Sequence, residues 1–282
     1  MSRLSFIPVD SKAGLTDDGI LETIEDVKRF LGCNLTPAEQ EEIQKALDKI
    51  PEEKMAGYTP QPQIDFKAGS VAQTYFPVWR VLSKRRLSKR ATGISISVRT
   101  RDGYFLGIRR SLKNGSHRGQ LGVVAGFMKH FVPDDRTIVS IAIKNTLEEL
   151  EHEIFLKAID INDIEVIGVL ELDDHDELVV QVKASLNKEE ILKKRIVEDQ
   201  GIHTHIAEES IFFATGEQVT KIVGHPRIAG APWHLFAFLI PIIQSVDWAL
   251  AMIQKVKHFG DDEPYVELVN ILDELDITAR NF

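Results

Sequence analysis

A single cysteine, Cys33, in 282 residues leaves no partner for an intrachain disulfide and no set of thiolates for a structural zinc site, which suits a reducing compartment. Long apolar runs are missing as well. The longest, over residues 232–243, falls short of the ~20 apolar residues that a membrane-crossing helix needs and contains His234 and Pro241, so no membrane partner is expected. Residues 1–14 lack the apolar centre of a secretory signal, and the expected compartment is the cytoplasm. Basic charge is in deficit: Lys and Arg number 34 against 43 Asp and Glu, a net charge of −9. Coating of nucleic acid rests on neutralising phosphates with Lys and Arg, so this balance argues against nucleic acid as a partner. What is present is 43% hydrophobic and 27% charged, the make-up of an ordinary globular protein with chain enough for one large or two small domains.

The residues capable of chemistry concentrate in residues 125–156. From Ile138 onward, apolar positions at Ile138, Ile141, Leu147, Leu150 and Ile154 recur by threes and fours, which predicts a helix with one face inward. The remaining face is acidic. Glu149 and Glu153 lie four apart with His152 between them, and Glu148 and Glu151 flank the set. Like charges at this spacing cost about 0.2–0.5 kcal/mol per pair unless a cation offsets them. Two readings follow: Glu149, His152 and Glu153 hold a divalent metal, or the face is solvated surface. Ahead of the helix, residues 123–126 read as a strand entering a tight turn at Gly126, where a glycine tolerates positive φ and lets backbone approach a phosphate.

Elsewhere the chain reads as structure. Residues 1–80 predict a helical N-terminal extension. Asp17 and Asp18 can cap a first helix that Gly32 stops, and Thr36-Pro37-Ala38-Glu39 is a capping box for a second. Proline and glycine over residues 51–63 read as a linker or an extended segment wrapping the core, and residues 84–90 hold a basic run that is either solvated or a seat for a polyphosphate or an acidic partner. Ile94, Ile96 and Val98 alternate with polar residues as a half-buried strand, turned at Asp102-Gly103 into a second strand ending in Arg109 and Arg110. Residues 164–172 and 178–186 read as a hairpin whose tip, 173–176, is a solvated turn or a metal position, and His203 with His205 could bind metal on a strand. Glu189 and Glu190 stand four before Lys193 and Lys194, as ion pairs on an exposed helix would. Residues 226–282 form an apolar helical C-terminal extension that needs cover, from the N-terminal helices or from a second copy in a homodimer.

The stretch beginning at Gly126 and continuing through residues 148–156 resembles the signature box of the Nudix hydrolases. Gly126, Glu149, Leu150, Glu153 and Leu156 match. Val132, Glu148, His152 and Phe155 replace the box's early Glu, its Arg, the first of its paired Glu and its late Gly, and the loop between the halves is longer. The resemblance extends over residues 90–225. It implies an α+β fold, a Nudix-like α/β/α sandwich with a mixed sheet, carrying helical extensions at both ends. It further implies a Nudix-type pyrophosphohydrolase that cleaves a diphosphate linkage in a nucleoside diphosphate derivative, with Mg2+ or Mn2+ as cofactor. Glu149 and Glu153 would then be catalytic carboxylates and metal ligands with His152, Glu209 in the Glu208-Glu209 pair the general base, and Arg109, Arg110 and Gly126 substrate-binding. An imidazole among carboxylates shifts the metal preference from magnesium toward manganese or zinc. The alternative is a Nudix-like binding or scaffold module that keeps the pocket without the chemistry.

Overall fold

The computed structural model describes residues 4–10, 12–58, 60–67, 69–84, 91–112, 117–129, 136–172, 175–198, 210–256 and 265–279. The chain divides into two compact units. The first comprises Met1–Ile94, Phe127–Asn145 and Gly168–Leu178, and the second Ser95–Gly126, Thr146–Ile167 and Val179–Phe282. The fold is α+β.

The chain opens with strands β1 (Ser5–Ile7) and β2 (Thr16–Ile20). Asp17 and Asp18 therefore lie in a strand and cap nothing. The first helix, α1 (Ile24–Leu31), starts later behind Thr23, whose hydroxyl accepts from the Asp26 N–H while the Asp26 carboxylate accepts from the Thr23 N–H. Strand β2 runs on through Gly19, at φ 79, to Ile20, and the helix begins only where this reciprocal box satisfies its first N–H groups. Gly32 ends α1 in the left-handed conformation, as its sequence position predicts. Thr36 and Glu39 form the expected box on α2 (Pro37–Leu47), followed by α3 (Ile50–Met55).

The segment 51–63, read as linker or extended, is helical at its start in α3 and extended at its end, where β3 (Gln61–Asp65) begins, followed by β4 (Ser70–Thr74) and α4 (Phe76–Lys84). Strand β4 pairs parallel with β2 and antiparallel with β3, a mixed three-stranded sheet. The helices close a core of Leu21, Val27, Ile43, Leu47, Tyr75, Val78 and Leu82. Each of the Leu, Val and Ile side chains among them contributes about 1.5–3 kcal/mol when fully buried.

The larger sheet is built from β5 (Ala91–Arg99), β6 (Phe105–Arg109), β7 (Leu121–Gly122), β8 (Val124–Phe127), then, after helix α5 (Ile138–Ile154), from β9 (Ile161–Glu171) and β10 (His175–Ala184), and, after α6 (Lys188–Glu198), from β11 (Ser210–Ala214). Its hydrogen-bonded order is β1-β9-β10-β5-β6-β11, with β7 on β6 and β8 on β5. The β5–β6 turn forms where Asp102-Gly103 predicts it, with Gly103 at φ 87. The charges of α6 do not pair within the helix as their spacing suggests: Glu190 bonds Arg101 at 3.0 Å and caps the Asn187 N–H, and Lys194 pairs with Asp160.

Helices α7 (Gly216–Val223), α8 (Pro232–Ile243), α9 (Val246–Ile253) and α10 (Glu267–Glu274) complete the second unit. The apolar tail finds its cover here: α8 packs on α7, α9 and β7, and Phe238 meets Phe212 edge-on at 6.0 Å. Among the described residues no helix is long and apolar enough to cross a membrane.

Candidate active site

Helix α5 buries Ile138, Ile141, Ala142, Leu150 and Ile154, as its spacing predicts, whereas Leu147 is only half-buried and Thr146 takes the interior position beside it. Phe155 ends the helix at φ 59, with the Leu156 N–H closing on the Leu150 carbonyl. The family box has glycine here, which adopts that conformation without strain. A left-handed non-glycine costs about 1–2 kcal/mol, which burial of the Phe155 ring, about 1.5–3 kcal/mol, offsets.

Glu149 continues the inward row and is only 5% exposed. Its carboxylate lies flat against Gly126: a Cβ built there would stand 2.5 Å from Cδ and 2.6 and 2.7 Å from the two oxygens. One turn later, Glu153 Oε2 accepts the Ala125 N–H at 3.3 Å. The two carboxylates thus converge on one backbone step of β8. Gly126 is no tight turn. It sits inside the strand without a left-handed φ, and glycine is required because any side chain would collide with Glu149.

His152 is exposed while Glu149 is buried. Successive helical residues advance by about 100°, so His152 is swung a full step from Glu153. Among the described residues no three His, Cys, Asp or Glu side chains are grouped to hold a metal. Glu149 and Glu153 nevertheless fit a hard divalent ion such as Mg2+, which keeps several waters and takes only one or two carboxylates from the protein.

Arg109 and Arg110 do not converge. Consecutive residues of a strand face opposite sides. Arg109, paired across β6 with Ser210 and Leu121, has a buried Nε without an acceptor among the described residues, and burial pushes its guanidinium below its ordinary pKa. The Arg110 stem runs over Gly122 instead, where a Cβ would stand 3.2 Å from its Cγ, and its Nη1 reaches His234 Nε2 on α8 at 3.4 Å.

Glu209, the basic run 85–90, the loop 130–135, residues 173–174 and the histidines at 203 and 205 lie outside the described residues. The rest of the hairpin tip is not solvated. His175, Asp176 and Glu177 are buried in β10, with His175 Nε2 3.4 Å from Glu177 Oε2. A Cβ on Gly93 would fall 1.9 Å from that same oxygen, so Gly93 makes room for Glu177. A glycine inside the alternating strand at 93–98 is itself a sequence signal of such a close approach.

No protein-family model matches the chain, and no curated protein matches its sequence. Among solved structures the chain is similar to Tm1382, named as a candidate Nudix hydrolase, at 12% identity and a TM-score of 0.37, covering 70% of this chain and 96% of that one. It is similar also to DR0079 from Deinococcus radiodurans, at 14% identity and a TM-score of 0.26 over 39% of this chain and 74% of that one. A Nudix hydrolase from M. smegmatis, RenU, shares 12% identity at a TM-score of 0.26 over 47% of this chain and 74% of its own. At these values none assigns a role to any residue here.

Proposed function

We propose that this chain is a metal-dependent hydrolase that cleaves a diphosphate linkage in a nucleoside diphosphate derivative. The observation that carries the reading is the convergence of Glu149 and Glu153 on the β8 backbone at Ala125 and Gly126. A bound Mg2+ or Mn2+ would polarise a phosphoryl oxygen and supply an activated water. The chain's own residues do the rest. Gly126 keeps the strand open so that Glu149 holds its position, and the Ala125 N–H fixes Glu153. Arg109, a half-buried cation with a donor unmet among the described residues, is suited to a phosphoryl oxygen. Glu209 enters as general base on the family resemblance alone.

The test is metal-dependent hydrolysis across a panel of nucleoside diphosphate derivatives, with Glu153→Gln as control. Turnover lost in the control supports the reading, and turnover that persists in it, or is absent throughout, removes it. A second reading, a binding module without chemistry, draws on the exposure of His152 and on Glu148 where the family box carries Arg. It predicts that a non-hydrolysed diphosphate ligand binds with unchanged affinity when Glu149 and Glu153 are both made Gln.

A further inference from the structure

A cleft of about 720 Å³ opens in the second unit between the β5–β6 turn, the first turns of α6 and α7, and the chain leaving α10. That is room for a small organic molecule, whose sites run to about 300–1,000 Å³. None of the residues that line it comes from α5 or β8, so it is not the Glu149–Glu153 site. Its apolar lining is Leu192, Phe213, Leu275 and Ile277, joined by the half-buried ring of Tyr104.

The polar lining decides the sign of the ligand. Two helices begin at the cleft, and a helix N-terminus favours an anion, but the chain fills that role itself. Asn187 Oδ1 accepts the Glu190 N–H at 2.9 Å at the start of α6, and the Thr215 hydroxyl accepts the Gln218 N–H at 3.3 Å at the start of α7. Four carboxylates and two ammonium groups line the cleft. Glu217 is bound to Lys221 at 2.7 Å, and Glu274 to Arg227 outside it. Glu189 and Asp276 carry no ion pair or side-chain hydrogen bond among the described residues, and the carbonyl end of α10, which favours a cation, arrives beside Asp276. The remaining ammonium, Lys188 Nζ, lies 4.0 Å from the centre of the Tyr104 ring, well within the reach of a cation on an aromatic face. The chain's own lysine thus shows the kind of group this wall accepts. Among the described residues no three His, Cys, Asp or Glu side chains are grouped to hold a metal, so two carboxylates with apolar and aromatic neighbours match an organic cation instead.

We propose that this cleft binds a small organic cation, an amine with an apolar or aromatic body, and does so whether or not the chain is a hydrolase. The body lies against Leu192, Phe213, Leu275 and Ile277, and Glu189 and Asp276 supply the opposite charge. The ligand's ammonium takes the face of Tyr104 that Lys188 covers, so Lys188 is a built-in competitor that must swing aside. Because both carboxylates are exposed, binding weakens as salt is added.

The experiment is calorimetric titration of the full-length chain, without divalent ions, with phenethylammonium, 2-phenylethanol and phenylacetate, which share one aromatic body and carry a positive charge, none and a negative one. Saturable binding of phenethylammonium is expected, with the alcohol weaker and phenylacetate weakest. Glu189→Gln and Asp276→Asn should each weaken phenethylammonium about threefold, as loss of an exposed ion pair does, and the double variant about tenfold. Neither change touches the core, and asparagine suits the left-handed backbone at residue 276, φ 56. Lys188→Met should tighten binding about threefold, because it frees the Tyr104 face and removes a like charge. Glu149→Gln should leave it unchanged. The proposal is overturned by absence of phenethylammonium binding, by phenylacetate binding as well or better, by unchanged affinity in the double variant, by Lys188→Met binding no tighter, or by loss of binding in Glu149→Gln.

Discussion

Each of the two units seats a buried glutamate against a glycine, and the seats differ in what stands beside the carboxylate. In the first unit Glu177 lies on Gly93 with His175 from its own strand at 3.4 Å, both side chains buried, so a group able to carry the opposite charge is built in. In the second, Glu149 lies on Gly126, and the ionisable group one turn along its own helix face is a second carboxylate, Glu153, half-buried and bound to backbone. Adding negative charge beside a buried carboxylate is unfavourable unless a cation joins it. The first arrangement reads as internal structure, and the second is the pair of carboxylates on which the proposed metal site rests.

The comparison breaks most readily at the carboxylates. Glu149→Gln and Glu153→Gln should each lower hydrolysis by about 100-fold, some 2.7 kcal/mol in the barrier, with helix content unchanged by circular dichroism. A loss below about threefold in both would make the second seat as structural as the first. Next come the glycines. Gly93→Ala drives a methyl into a carboxylate that is enclosed, and should cost about 1–3 kcal/mol in urea unfolding. Gly126→Ala meets the Glu149 carboxylate less closely, at 2.5–2.7 Å against 1.9 Å for Gly93 and Glu177, so it should cost less stability and most of the activity. Equal destabilisation by the two alanines would erase the distinction.

Smaller effects sharpen the contrast. Saturating Mg2+ at 100 times its Kd should raise the stability of the parent by about 2.7 kcal/mol, read as a higher melting temperature, and the rise should vanish in Glu149→Gln and in Glu153→Gln. His152→Glu should tighten Mg2+ by no more than a few-fold in calorimetry, because the side chain starts from the exposed side of α5. A tenfold gain would mean that the helix turns to bring residue 152 inward.

What the sequence made legible was what neighbouring residues decide among themselves. The Thr36 box, the stop at Gly32, the Asp102-Gly103 turn and the inward stripe of α5 each depend on residues within a few positions, and each formed. Strands β3 and β4 escaped because Gln61-Pro62-Gln63 and Ser70-Val71-Ala72 have no alternation of their own and become strands only by pairing. The role of Gly126 escaped for the same reason, since the group that demands a glycine there is 23 residues away and only the fold brings it near. Arg109 and Arg110 could have been separated from the outset: on a strand, two adjacent side chains cannot serve one face.

Strand β1 is the last member of the large sheet, pairing Ser5, Phe6 and Ile7 with Glu171, Leu170 and Val169 of β9. Its Phe6 ring fills the space left by the missing side chain of Gly168, like a key in a slot. Those three residues are thus a plug over a row of backbone groups that would otherwise be an open sheet edge. A chain trimmed after Ile7 should keep its other strands and become sticky, its bare β9 edge recruiting foreign strands, and a synthetic peptide spanning residues 4–10 added in trans should restore it to a monodisperse state.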